Sequence, residues 1–258
     1  MSHVLAALLP PELSSVSTLL LMLAAGIGSF ITAAFGVGGG VMLLAVMTLF
    51  LPAATVIPLH GIVQAGSNLG RTALLWRHVR WPLLLAFAAG GLVGAAAGAQ
   101  LLVRLPPGWM EIALGAFILW SCWGPLPRVH EGSTFGIALG GAATSALTLF
   151  VGATGPFVAA FLRALHLERF SHMGTFSACM VLQHALKTAV FGFAGFAFAP
   201  YIPFLAGMLA CGFAGTMLGR LVLGRLDERW FRRGLTLLLT LLALRLLASG
   251  GLTALGIA

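Results

Sequence analysis

His60, Gln64, Ser67, Asn68 and Arg71 follow one another at i, i+4, i+7, i+8 and i+11, a spacing that gathers side chains on one face of a helix. A second stretch repeats part of this stripe, with Gln183, His184 and Lys187 in the places of Ser67, Asn68 and Arg71. Amide, imidazole and cationic groups so arranged can donate hydrogen bonds to a negative ligand. Ahead of each stripe lies a glycine-rich break, Gly36-Val37-Gly38-Gly39-Gly40 in one case and Gly152-Ala153-Thr154-Gly155-Pro156 in the other. Glycine lets a ligand approach the backbone closely, and a helix starting at such a break points free N–H groups and a partial positive charge at its tip. Pro156 suits a helix start. Packing offers competing explanations, since small residues let membrane helices approach and polar side chains hydrogen-bond between them, while Arg71 can snorkel to the surface. Lys187 resists that explanation, because apolar residues follow it to Phe198.

The sign of the charge is informative. Glu12, Glu111, Glu131, Glu168, Asp227 and Glu228 all stand near segment ends or in loops, whereas cation pathways and most proton relays use carboxylates at membrane depth. The stripes therefore favour a small anion. His60 and His184, which can titrate near neutrality, are candidates to carry a coupling proton or to act as plain donors. No His, Cys or carboxylate spacing fits a metal site, and no motif calls for a cofactor. Cys122, Cys179 and Cys211 lie in apolar runs without Cys-x-x-Cys spacing and read as small hydrophobes. An enzyme is not expected: the nucleophile elbow, the zinc-protease helix, the phosphate loop and the dinucleotide fingerprint are missing. Ser177 and His184 would lie about 10 Å apart along a helix, too far for a Ser–His pair.

The elements that must hold these groups follow from composition. The chain has 258 residues, 60% hydrophobic and 8% charged, with a mean hydropathy of +1.05. Soluble domains are about 25% charged, and disordered chains are poor in apolar residues, so both classes are excluded. The formal charge of +8 is scattered over segment ends, which argues for topology signals and against nucleic-acid binding. The expectation is an all-α polytopic membrane protein, its apolar runs being long enough to span a bilayer as helices. No removed signal peptide is expected.

The runs divide into two similar halves. An N-terminal segment, 1–15, precedes a first repeat at 16–127, made of a hairpin over 16–51 and helices over 53–76, 81–103 and 109–123. A second repeat at 128–258 has a hairpin over 135–165 and helices over 175–198, 201–223 and 235–252. Gly94, Gly98, Arg104, Leu105 and Trp109 recur as Gly215, Gly219, Arg225, Leu226 and Trp230. A continuous helix from Val16 to Leu51 would measure about 54 Å against a hydrocarbon core of about 30 Å, so the glycine break is expected to turn the chain back. Each half then crosses an odd number of times and the repeats are inverted. Arg71, Arg77, Arg80, Arg128, Arg163, Arg169, Arg220, Arg225, Arg229, Arg232 and Arg233 then fall inside, with only Arg104 and Arg245 outside. The N-terminus faces outside. Inverted repeats with broken helices are the architecture of secondary transporters, whose substrate sites lie at the repeat interface.

The apolar run ending in Gly-x-Gly-Gly-Gly at Gly36–Gly40, the glycine-rich helix at Gly90–Gly98, the Arg-Leu-Pro at Arg104–Pro106 and the duplicated half resemble the sulfite exporter TauE/SafE family. The resemblance runs from about Val16 to Leu247 and implies an inner-membrane secondary transporter of sulfur-containing oxyanions such as sulfite or sulfonates. It makes Gly36, Gly38, Gly39 and Gly40 the motif positions. Two departures stand out: Met42–Val46 lacks a proline that the family often has, and the second break is not a full triple glycine. The expected site joins the tips Gly36, Gly38, Gly39, Gly40, Gly152, Thr154 and Gly155 to Gln64, Ser67, Asn68, Arg71, Gln183, His184 and Lys187. A carrier of another small anion, or an anion-conducting pore on the same scaffold, is the alternative.

Overall fold

A computed structural model describes residues 10, 12–35, 38–102, 106, 108–125, 134–221 and 228–256. Ten α-helices make up the described chain, with two short 3-10 turns and no strand among the described residues. In chain order they are α1 (Ser15–Phe35), α2 (Gly39–Met47), α3 (Ala53–Leu74), α4 (Trp81–Leu102) and α5 (Trp109–Trp123), then α6 (Thr134–Val151), α7 (Gly155–Arg163), α8 (Arg169–Phe193), α9 (Ile202–Leu221) and α10 (Glu228–Ala254). Six segments, on α1, α4, α6, α8, α9 and α10, are long and apolar enough to cross a bilayer. With no water in the hydrocarbon, each must satisfy its backbone internally, which a helix does. The chain is a multi-pass membrane protein. α3 falls outside that set of six through its polar stripe, although its 22 residues reach about 33 Å. α5, at 15 residues, is short.

Both glycine breaks separate a long helix from a half-length one. α2 and α7 each have 9 residues, about 13 Å of helix, so neither can cross the membrane alone. The chain reverses at Gly38 (φ 107°) and at Gly152 (φ 72°), backbone angles that L side chains adopt only at a cost.

The main packing pairs are α4 with α6, α1 with α9, α3 with α8, and α5 with α10. Every one of these joins the first five helices to the last five. Small residues make two of the seams. A Cβ on Gly94 would collide with the Ala142 carbonyl and one on Gly98 would crowd Ala146, both across α4–α6. Across α9–α1, a Cβ on Gly215 would collide with the Gly26 carbonyl and one on Gly219 would crowd Phe30. Such close approach is how helices gain packing contacts where lipid removes the hydrophobic drive between them.

The central pair, α3 and α8, runs antiparallel: Gly61 lies against Lys187 and Thr188 at one end, and Leu75 against Gly174 at the other. There the Arg80 amide donates to Thr175 Oγ1 at 3.0 Å. α8 starts at Arg169, ahead of the apolar run expected from Thr175, because its first turns (Arg169, Ser171, His172) are polar. It ends at Phe193, short of Phe198, where Gly195 turns at φ 92°. α3 stops at Leu74 and passes into a 3-10 turn at Trp76–His78.

Candidate functional site

The two breaks meet. Gly38, Gly40 and Val41 at the start of α2, and Ala153, Gly155 and Pro156 at the start of α7, line one cavity of about 30 Å³, about the space of two waters. Gln64, Asn68 and Arg71 from α3, and Phe176, Met180 and His184 from α8, complete its wall with Thr32 of α1. The N-termini of both half-helices are thus part of the same hollow, and neither starting residue, Gly38 or Thr154, provides a side-chain cap. Their free amides and dipoles favour negative charge there.

Arg71 is the cation of this cavity, only 6% exposed. Its Nη2 donates to Asn68 Oδ1 at 2.7 Å, and Asn68 Nδ2 donates in turn to the Gln64 carbonyl at 2.8 Å. Asn68 therefore helps to fix the guanidinium. Arg71 Nε and Nη1 are buried and have no partner. A buried donor without an acceptor costs free energy, and free guanidinium donors are well suited to hold an oxyanion. His184 Nδ1 and Gln183 Nε2 are likewise buried and unpartnered. Among the described residues, no carboxylate lines the cavity.

Other expected residues stand around this hollow in different roles. Gly39 packs against the Gly28 carbonyl and Thr32 Oγ1 of α1 and does not itself line the cavity. Ser67 Oγ shares a hydrogen bond with Ser29 Oγ at 3.0 Å, joining α3 to α1. Thr154 Oγ1 donates to Gln183 Oε1 at 2.5 Å, which ties the second tip to α8. Lys187, with no exposed surface, lies behind that tip and donates from Nζ to the Gly152 carbonyl at 2.7 Å, a cation closing the C-terminal end of α6. His60 Nε2 lies 2.9 Å from the Gly40 carbonyl and Lys187 Nζ 3.4 Å from His60 Nδ1. Gly36 lies outside the described residues. Thr32 and Phe176 are cavity residues that the sequence does not single out, since a threonine or phenylalanine in an apolar run has no distinguishing neighbour.

The tip geometry is sensitive to substitution. At Gly152 a Cβ would lie 2.8 Å from Leu44 Cδ1 on a backbone at φ 72°. Gly152→Ala is expected to destabilise the fold by about 1–2 kcal/mol, read as a lower melting temperature in detergent. The same change at Gly251, where nothing lies within 4 Å, is the neutral control.

No curated protein and no solved structure matches the chain significantly. A family model does: Sulfite exporter TauE/SafE, over residues 20–246. That span includes both tips, the α3–α8 pair and every residue of the cavity wall. With its long apolar helices and a match over most of its length, the chain belongs to the Sulfite exporter TauE/SafE family.

Proposed function

We propose that this protein is a carrier of small sulfur-containing oxyanions, sulfite or a sulfonate, working by alternating access. The carrying observation is Arg71, buried in a cavity walled by both half-helix tips with two donors free and no carboxylate beside it. The anion's oxygens take the Arg71 guanidinium, the amides at Gly38–Gly40 and Gly155, and donors from Gln64 and His184. Asn68 positions the guanidinium. Lys187, Gln183, Ser67 and Gly39 support the tips and their helices.

The two halves, 16–127 and 128–258, act as inverted repeats in this scheme. The α4–α6 and α9–α1 seams exchange when the halves are exchanged, as do the tips, and α3–α8 and α5–α10 map onto themselves. That symmetry is what a carrier uses when one half rocks against the other around a central site. The basic loops then face the cytoplasm and the N-terminus the outside, in a bacterial inner membrane.

The test is a thermal-shift screen of purified protein with sulfite, thiosulfate, an alkyl sulfonate and a carboxylate, followed by exchange in proteoliposomes. Expected are stabilisation by the sulfur oxyanions and faster efflux when the same anion is present on the far side. Stabilisation by the carboxylate alone overturns the substrate class. Flux without trans-stimulation indicates a pore.

A further inference from the structure

Lys187 is a buried cation that anion binding at Arg71 leaves unused. It has no exposed surface, and its Nζ lies 2.7 Å from the Gly152 carbonyl and 3.4 Å from His60 Nδ1, neither of them an anion. A buried charge without an opposite charge is costly. In sequence Lys187 stands where Arg71 stands in the other half, 116 positions on, and the helix seams repeat in that same register. Gly94 and Gly98 of α4 press on Ala142 and Ala146, while Gly215 and Gly219 of α9 press on Gly26 and Phe30. Ala142 and Ala146 likewise stand 116 positions after Gly26 and Phe30. Because α3 and α8 run antiparallel, Lys187 lies against Gly61, ten positions or about 15 Å along α3 from Arg71.

The same register sorts the cavity wall. Three pairs of wall residues are counterparts of one another: Gly40 and Pro156, Gln64 and Met180, Asn68 and His184. A set of pairs that returns to itself when the halves are exchanged surrounds the axis relating them, so an anion held there stays central. Arg71 and Thr32 are one-sided: both line the cavity, while their counterparts Lys187 and Thr148 are fully buried elsewhere. Thr32 Oγ1 donates to the Gly28 carbonyl, but Thr148 Oγ1 has no partner among the described residues, a buried donor that lacks an acceptor.

We propose that Lys187 and Thr148 are the anion's partners in the conformer open to the opposite membrane face, so that an ion held by Arg71 on one side is handed to Lys187 on the other. This rests on the carrier reading and adds to it the second cation of the cycle. When the tips part on the Lys187 side, Nζ exchanges the Gly152 carbonyl for an oxygen of the sulfite or sulfonate. Thr148 Oγ1 gains the acceptor it lacks, and Gln64 and His184 keep hold of the ion in both conformers. The full burial of Lys187 is then a feature of one conformer, as the shelter of Arg71 is of the other.

The first test uses a chain with Cys122, Cys179 and Cys211 changed to alanine and carrying Thr32→Cys or Thr148→Cys, in right-side-out and inverted membrane vesicles. A membrane-impermeant thiol reagent should label Thr32→Cys from one face only and Thr148→Cys from the other face only. Labelling of Thr148→Cys from the face that reaches Thr32→Cys, or from neither face, overturns the hand-over. The second test keeps the native cysteines and so stands if those variants fail to fold. Sulfite exchange is measured from each face of the vesicles, with sulfite saturating on the far side. Arg71→Gln should raise the half-saturating concentration at least about tenfold at one face, and Lys187→Met should do so at the opposite face. Each should change the other face by less than about threefold, and Lys187→Arg should recover most of the loss. An equal rise at both faces in Lys187→Met, the mark of a purely structural lysine, overturns the hand-over, as does no rise at either. Exchange that depends on Arg71 alone would leave the carrier reading standing without it, whereas no exchange by the unmutated protein would overturn both.

Discussion

Arg71→Gln is expected to weaken sulfite binding at least about a hundredfold, measured by calorimetry on purified protein. A hydrogen bond to a charged group contributes about 1.5–3 kcal/mol, and the variant loses two of them with their formal charge. About 3 kcal/mol corresponds to a factor of more than a hundred. The fold should survive, because glutamine removes a buried cation whose Nε and Nη1 have no acceptor in the protein. Arg71→Lys separates charge from geometry: it keeps the point charge, loses the planar fork and should fall between the two. Asn68→Leu removes the acceptor that holds Nη2 at 2.7 Å and should weaken binding about tenfold through the loosened guanidinium. If Arg71→Gln bound sulfite as tightly as the unmutated protein, the cavity would not be the anion site.

The same residues show how far the sequence reaches. The glycine breaks, the short helices after them and the face shared by His60, Gln64, Asn68 and Arg71 were all legible, because each depends on local spacing or on hydropathy. The family resemblance was legible for the same reason: its motif sits in one continuous break. The height of a side chain relative to the tips was not. Lys187 matches Arg71 by position in its half, yet it lies behind the second tip, bonded to Gly152, while Arg71 opens into the cavity. That difference arises from how α3 and α8 pair antiparallel and slide against α2 and α7, which periodicity does not encode. Helix starts rich in polar residues, as at Arg169, are hidden from an apolar count for a similar reason: the first turn is set by the end of the preceding loop and the helix it packs on.

Gly94→Leu and Gly215→Leu are each expected to abolish the monodisperse protein on size-exclusion chromatography. At both positions a Cβ alone would collide with a main-chain carbonyl, of Ala142 and of Gly26. Backbone cannot rotate aside as a side chain can, so a whole helix must shift. Overpacking that side chains can absorb costs about 1–3 kcal/mol, and a shift of α4 from α6 or of α9 from α1 should exceed that. Gly251→Leu, with open space at its Cβ, should leave yield and melting temperature unchanged, which separates a packing requirement from a general intolerance of large residues in these helices. Smaller substitutions make the stronger test of the carrier scheme, since both seams join one half to the other and any rocking motion must pass through them. Gly94→Ala and Gly215→Ala, where they still fold, should slow sulfite exchange with little change in sulfite affinity. Slowing at one seam only would mean that the two halves do not share the motion equally.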